Sequence, residues 1–393
     1  MSDNGTMKTF DELEVRRPAL ARSYLALLEA QPGRPLTLFA PRRVGKTFFL
    51  DHDMAPEAKA AGMLPVYADL WLYKSAPLEA INHALEEALD DLLVPSGNIG
   101  KIAKTPVTKI GVLGASLDLG DAPQRRSLPE SSPLRLDALV TRLAGQHRGK
   151  ILLMLDEVQA LADSPDDAAM IATLRAVLHK RRKSVNAIFT GSSQEGLARL
   201  MNTVGAPMYQ FAQIIDFPFL GDEFLRLLAE HFGQVHPDKK LELAELRNAF
   251  QKIGFKPALM RDIVRAMSAE GLTDVQRGIE SYRTSGHQVA IWLALLNSID
   301  AFDQAVLVVI AQGQPPLSRA TLKVLELIPG SKPTIAKVRS SIEKLKRNGM
   351  LSKTMVGTTI DDPLFAEFLV THSQQGIGSG RGCTPSLTKH PPA

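Results

Sequence analysis

The sequence predicts an α/β protein whose core is a parallel sheet with helices on both faces. Between residues 34 and 220, short apolar runs alternate with helical patterns, as strand–helix–strand crossovers require. The run Ile151-Leu-Leu-Met-Leu155 shows no polar alternation, which suits a strand buried on both sides of such a sheet. Leu36-Thr-Leu-Phe39 passes through a short turn into Gly45-Lys46-Thr47 and a helix. That strand–turn–helix layout is the layout of a phosphate cradle.

The elements follow in order. Residues 10–31 read as an N-terminal helix, with Leu20, Tyr24, Leu27 and Leu28 at helical spacing. Strands are expected at 35–40, 64–69, 150–155, 185–190 and 213–217. Helices are expected at 45–53, 76–93, 134–145, 166–180 and 194–202. A Gly-, Pro- and Ser-rich insertion over 94–132 interrupts the alternation, and its stretch 109–119 suits a hairpin. So long a connection is expected to be functional or mobile. The core domain therefore spans 1–220. A helical domain follows over 221–285, with helices at 222–232, 240–253, 257–269 and 272–282. Residues 286–372 form a third region: helices, a strand pair near 351–360 and a last helix at 363–371. The tail, 373–393, lacks apolar periodicity and reads as disordered.

Composition narrows the class. The chain has 393 residues, 45% of them hydrophobic, and a net charge of +4. That is enough apolar material for real cores, and a balance that permits nucleic-acid binding without demanding it. A lone cysteine, Cys383, forbids an intrachain disulfide and fits a reducing cytoplasm. The N-terminus is polar, and the longest apolar stretches, near 289–296 and 305–311, are too short to span a bilayer.

Candidate site residues cluster at the strand ends. In Ala40-Pro-Arg-Arg-Val-Gly-Lys-Thr-Phe48, the backbone of Pro41, Arg42, Arg43, Val44 and Gly45, with the helix start at Lys46, Thr47 and Phe48, would cradle the phosphates of ATP. Lys46 would reach the β- and γ-phosphates, and Thr47 would take one Mg²⁺ position. Ala40 holds the place where the phosphate-loop pattern has its first glycine, a cost if that residue needs positive φ. Asp156 closes the strand over 150–155 where a Mg²⁺-bound water needs a carboxylate, and Glu157 would orient or deprotonate an attacking water. The competing reading of this pair is an acidic turn after a core strand. Ser192, in Gly191-Ser-Ser193, would contact the γ-phosphate or that water; an ordinary Gly-Ser turn is the alternative.

Placed together, these motifs resemble the archaeal-ATPase-like group of AAA+/STAND P-loop ATPases. Ala40–Thr47 resembles its phosphate loop, Leu155-Asp-Glu-Val-Gln159 its Walker B strand, and Phe189-Thr-Gly-Ser-Ser193 its sensor strand. Ile360-Asp-Asp-Pro-Leu-Phe-Ala366 resembles the Asp-Pro-Leu-Phe signature of its C-terminal winged helix. The resemblance spans about residues 10–372. It implies an ATPase core, a helical lid over 221–285 and a winged helix over 286–372. It also implies Pro257 as a nucleotide-base contact, although Gly254-Phe-Lys-Pro257 departs from the tighter Gly-x-Pro of related lids.

On helical geometry, Ile335, Val338, Ile342 and Leu345 share one arc of the helix over 333–348 and face a core. Lys337, Ser340, Lys344 and Arg347 share the opposite face. A winged helix places such a face in the DNA major groove, whereas a solvated face in a domain that contacts protein is the alternative. The sequence thus points to an ATP- and Mg²⁺-dependent regulatory ATPase whose partner is double-stranded DNA or another protein. The alternative is a nucleotide-dependent protein-interaction switch with negligible turnover. Nucleotide-controlled homo-oligomers are compatible with either.

Overall fold

The computed structural model describes residues 9–73, 75–93, 127–162, 167–202, 204–206, 208–354 and 357–374. Most of the 94–132 insertion, with its expected hairpin, and nearly all of the 373–393 tail lie outside the described residues. The chain divides into two compact units. One comprises Arg16–Pro41 and Lys46–Phe217; the other takes in the residues up to Val15, Arg42–Gly45, and everything from Pro218 onward.

The first unit is built on five parallel strands: β1 (Leu36–Phe39), β2 (Leu64–Asp69), β3 (Ile151–Asp156), β4 (Val185–Gly191) and β5 (Gln213–Asp216), in the spatial order β2-β3-β4-β1-β5. Every residue of β3 and β4 is buried, which is why neither sequence alternates. The edge strands β2 and β5 do alternate. In β2, Val66 and Ala68 turn inward and share one apolar core with Ile81 and Leu85 of helix Pro77–Leu93 and with Leu139 and Leu143 of helix Ser132–Gln146, and Tyr67 turns outward.

The N-terminal helix begins at Pro18, not at residue 10 as expected, and runs to Ala30. Proline suits the first helical position because its missing N–H has no partner there in any case. Ahead of it, the Arg17 N–H and Arg16 Nε donate to Asp53 Oδ1 at 2.9 and 3.0 Å. The Arg17 guanidinium lies 4.3 Å from the Phe217 ring centre and 5.2 Å from that of Phe49. The N-terminal segment is therefore fastened to the helical stretch that follows the phosphate loop. That stretch winds as α-helix at Lys46–Phe49, π-helix at Leu50–Met54 and α-helix again at Ala55–Ala60.

The second unit is mainly helical. Helices Asp222–Val235, Leu243–Lys252, Pro257–Glu270, Val275–Thr284 and Gly286–Asn297 lead to Ala301–Ala311, Arg319–Leu325 and Ile335–Arg347. An antiparallel pair follows, β6 (Leu351–Thr354) and β7 (Gly357–Ile360), and then helix Pro363–Gln374. Asp274, Ser285, Asp300, Ser318 and Thr334 each cap a helix by accepting a backbone N–H three residues on, an interaction worth about 1 kcal/mol. One apolar core runs from Leu13 and Phe224 through Met260 and Trp292 to Leu345 and Phe368. Ile335 departs from its expected core position and is 46% exposed. It is the first residue after the Thr334 cap, and the preceding chain is not helical, so no earlier turn carries its side chain onto the apolar stripe.

Candidate functional site

β1 is flanked by β4 and β5, and β4 separates it from β3. The loop after β1 and the carboxyl end of β3 are thus two strand spacings apart, roughly 10 Å. That opening is where ligands enter open α/β sheets. Two residues of the loop take left-handed backbone: Arg43 at φ 63° and Gly45 at φ 94°. Glycine adopts this conformation without steric cost, whereas arginine does so at some expense. Ala40 is not among the described residues with positive φ, so alanine is accommodated where the pattern has glycine. Lys46 is 5% exposed. Its Nζ donates to the Ala40 and Pro41 carbonyl oxygens, both at 2.8 Å, which keeps the cation against the loop. Val44 is buried, and the Phe48 ring stacks on His52 at 4.2 Å.

The predicted acidic pair meets this loop. Thr47 Oγ1 donates to Asp156 Oδ2 at 2.6 Å. Thr190 Oγ1, from β4, donates to Asp156 Oδ1, and the Glu157 N–H donates to the same oxygen at 3.1 Å. Asp156 is 3% exposed. A hydroxyl and a carboxylate so placed suit Mg²⁺, which favours oxygen ligands and normally keeps waters and substrate phosphate oxygens in its shell. Among the described residues, no group of three or more His, Cys, Asp or Glu could hold a metal ion, so waters and phosphate oxygens would supply the rest of the shell.

Glu157 adopts φ 57°, a strained conformation for a side chain of this size, costing roughly 1–3 kcal/mol. Ser192 Oγ donates to Glu157 Oε2 at 2.7 Å, and Gln159 Nε2 donates to the same oxygen. Gln159 also reaches Ser192 Oγ at 3.2 Å. Gly196 permits this cluster: a Cβ there would lie 2.6 Å from Gln159 Cβ. Lys46, Thr47, Asp156, Glu157 and Ser192 are therefore gathered around the carboxyl ends of β1, β3 and β4.

The structure adds three residues to which sequence reasoning gave no role. Thr190 and Gln159 are two. Tyr67, on β2, is the third: its phenol donates to Asp156 Oδ2 at 3.2 Å. Burial first, and then the charges of Asp156, Asp69 and Asp51, push its pKa well above the ordinary phenol range, so it stays a neutral donor. The sequence marked Tyr67 only as part of the strand expected at 64–69.

The remaining candidates lie in the second unit. Arg43 lines a cavity of about 630 Å³ with Lys256, Asp262, Tyr282 and Asp361. Burial, then Asp262 and Asp362, raise the Tyr282 phenol to about 12. Arg42 lies close to Gly349, where an added Cβ would sit 2.7 Å from its Nη1. Pro257 starts its helix at the first turn, half-buried. Lys337, Ser340, Lys344 and Arg347 are all exposed on helix Ile335–Arg347, but two of them are engaged. Lys344 Nζ lies 3.0 Å from Asp300 Oδ2 and 2.6 Å from Asp303 Oδ2, and Lys337 Nζ sits 4.3 Å from the Phe302 ring centre.

A five-stranded parallel sheet in this order, with a phosphate loop after β1 and an acidic pair at the end of β3, is the fold of AAA+ P-loop ATPases. Among solved structures, the chain is similar to the Walker-type ATPase PABY2304 of Pyrococcus abyssi, at a TM-score of 0.54 and 16% identity, over 91% of this chain and 97% of that one. The ORC2 protein of Aeropyrum pernix in ADPNP–ADP complexes matches at a TM-score of 0.49 and 16% identity, over 92% and 95% of the two chains. The ORC1 protein of the same organism in complex with DNA matches at 0.46 and 14%, over 92% and 94%. No protein-family model matches the sequence, and no curated protein does either. No helix among the described residues is long and apolar enough to cross a membrane.

Proposed function

We propose that the chain is a regulatory ATPase that binds ATP with Mg²⁺ and hydrolyses it slowly, with its C-terminal segment acting as a winged helix that passes the nucleotide state to a partner. The observation that carries this reading is the 2.6 Å hydrogen bond between Thr47 and Asp156, which joins the phosphate loop to the acidic strand end in one site. In it, Lys46 neutralises phosphate charge and the loop N–H groups orient the phosphate oxygens. Thr47 and Asp156 would hold Mg²⁺, which would supply charge stabilisation for the transferred phosphoryl group. Glu157 accepts a proton from water, and Ser192 and Gln159 fix where its carboxylate lies. Double-stranded DNA is the partner favoured by the basic helix Ile335–Arg347. The single-cysteine composition is consistent with a cytoplasmic setting.

A second reading, a nucleotide-held switch with negligible turnover, draws support from one pair of hydrogen bonds. The Glu157 carboxylate is already engaged by Ser192 and Gln159, which draws it away from a water.

Binding itself is tested by Lys46→Ala in a fluorescent-nucleotide titration. A charge-assisted hydrogen bond to phosphate is worth about 1.5–3 kcal/mol, so without the ammonium group affinity should fall by at least about tenfold. Wild-type affinity in the mutant would remove the phosphate-loop assignment.

A further inference from the structure

Tyr67 stands outside every motif that the sequence supplies, yet it touches the centre of the site. It sits on edge strand β2, where the register sets Tyr67 beside Met154 and Asp69 beside Asp156. Its side chain is on the outward face of β2 and 37% exposed. From there its phenol spans to Asp156 Oδ2, the oxygen that also accepts from Thr47. The Asp156 carboxylate is thus gripped from two sides. Thr190 and the Glu157 N–H hold Oδ1 from within the sheet. Thr47 and Tyr67 hold Oδ2 on the side of the phosphate loop. Of these donors, only Tyr67 belongs neither to the phosphate loop nor to the two strands beside Glu157 and Ser192.

We propose that Tyr67 is a positioning residue for the metal-directed carboxylate: its hydroxyl fixes the rotation of Asp156 so that Oδ2 stays turned toward Thr47. The role rests on the ATP–Mg²⁺ reading of the site. A carboxylate that can rotate must be ordered when the ion arrives, and that ordering subtracts from affinity. Partners that orient a metal ligand from behind typically change metal affinity by about 10–100-fold. Tyr67 touches no reacting atom. Its removal should therefore act on metal affinity and leave nucleotide affinity without metal unchanged. Tyr67→Phe keeps the partly covered ring and removes only the hydroxyl.

The test is a fluorescent-nucleotide titration of the full chain in EDTA and across a Mg²⁺ series, for wild type, Tyr67→Phe and Asp156→Asn. Melting temperatures are recorded alongside. The expected result for Tyr67→Phe is wild-type affinity in EDTA, a wild-type melting temperature, and a Mg²⁺ half-saturation raised about tenfold. Asp156→Asn should show the larger fall in Mg²⁺ response. If wild type responds to Mg²⁺ and Tyr67→Phe gives the same half-saturation, the positioning role is overturned and the site reading stands. If Tyr67→Phe lowers EDTA affinity and melting temperature together, its role is structural and the proposal is likewise overturned. If wild type itself binds nucleotide equally with and without Mg²⁺, the metal reading of Thr47 and Asp156 fails, and the proposal falls with it.

Discussion

Glu157 shows how backbone strain can fall on the residue proposed as the base. Its positive φ follows from the geometry around Asp156: the Glu157 N–H is drawn toward Asp156 Oδ1 and Thr190 Oγ1, at 3.1 and 3.3 Å. That turn of the backbone swings the side chain across to Ser192 and Gln159. Strain of this kind persists where the surroundings over-determine it, and such places are commonly active sites. Glu157→Gln keeps the shape of the side chain and removes its basicity. It should bind nucleotide like the wild type and release phosphate about 10²–10⁴-fold more slowly. A phosphate-release assay with parallel nucleotide titration checks both halves. Equal measurable rates in wild type and mutant would deny Glu157 the role of base, and rates at background in both would favour the switch reading.

At the scale of the element, helix Ile335–Arg347 illustrates what periodicity can and cannot reveal. Val338, Ile342 and Leu345 were legible as core from spacing alone, and all three are buried. Lys337, Ser340, Lys344 and Arg347 were legible as one exposed face. The partners of that face were not, because Asp300, Asp303 and Phe302 come from a helix start some forty residues earlier. Lys344 is tied to Asp303, whose other oxygen accepts from buried Ser341 at 2.5 Å. These interactions raise the Lys344 pKa, with the Asp303 bond the largest cause. Lys344→Ala should therefore lower the melting temperature as well as any DNA affinity, and it is a poor probe of DNA binding by itself. Lys337→Ala with Arg347→Ala is the better probe. If this face meets duplex DNA, log affinity falls against log salt by about 0.9 per neutralised phosphate. The double mutant should then flatten the slope by nearly two such steps and leave the DNA-free ATPase rate unchanged. Identical salt slopes, or no wild-type binding at low salt, would transfer the weight to a protein partner.

At the scale of the whole molecule, the sheet and its loop were legible because local signals and the global fold agree. Unalternating β3 and β4 are buried, Gly45 takes the left-handed turn, and Asp156 ends its strand. Interactions between distant segments were not legible, and Lys256 is the clearest case. Its sequence context, Gly254-Phe-Lys-Pro257, resembles a lid turn with Pro257 as the residue of interest and gives Lys256 no partner. In the fold, Lys256 Nζ lies 3.0 Å from Asp361 Oδ2, with the side chains 5% and 7% exposed, and it also donates to the Asp361 carbonyl. The pair joins the start of helix Pro257–Glu270 to the turn after β7, 105 residues away in sequence. A buried ion pair offers little net stability over apolar residues of similar size, but removing one partner strands the other charge, at about 3–5 kcal/mol. Lys256→Met alone and Asp361→Leu alone should each shift the urea midpoint strongly downward. The double mutant should recover much of that stability, because neither charge is then left buried. This non-additivity separates an electrostatic clasp from simple packing, for which the two effects would add. A single mutant that unfolds at the wild-type midpoint would show that the pair is solvated, and that these two segments are held together by their apolar core alone.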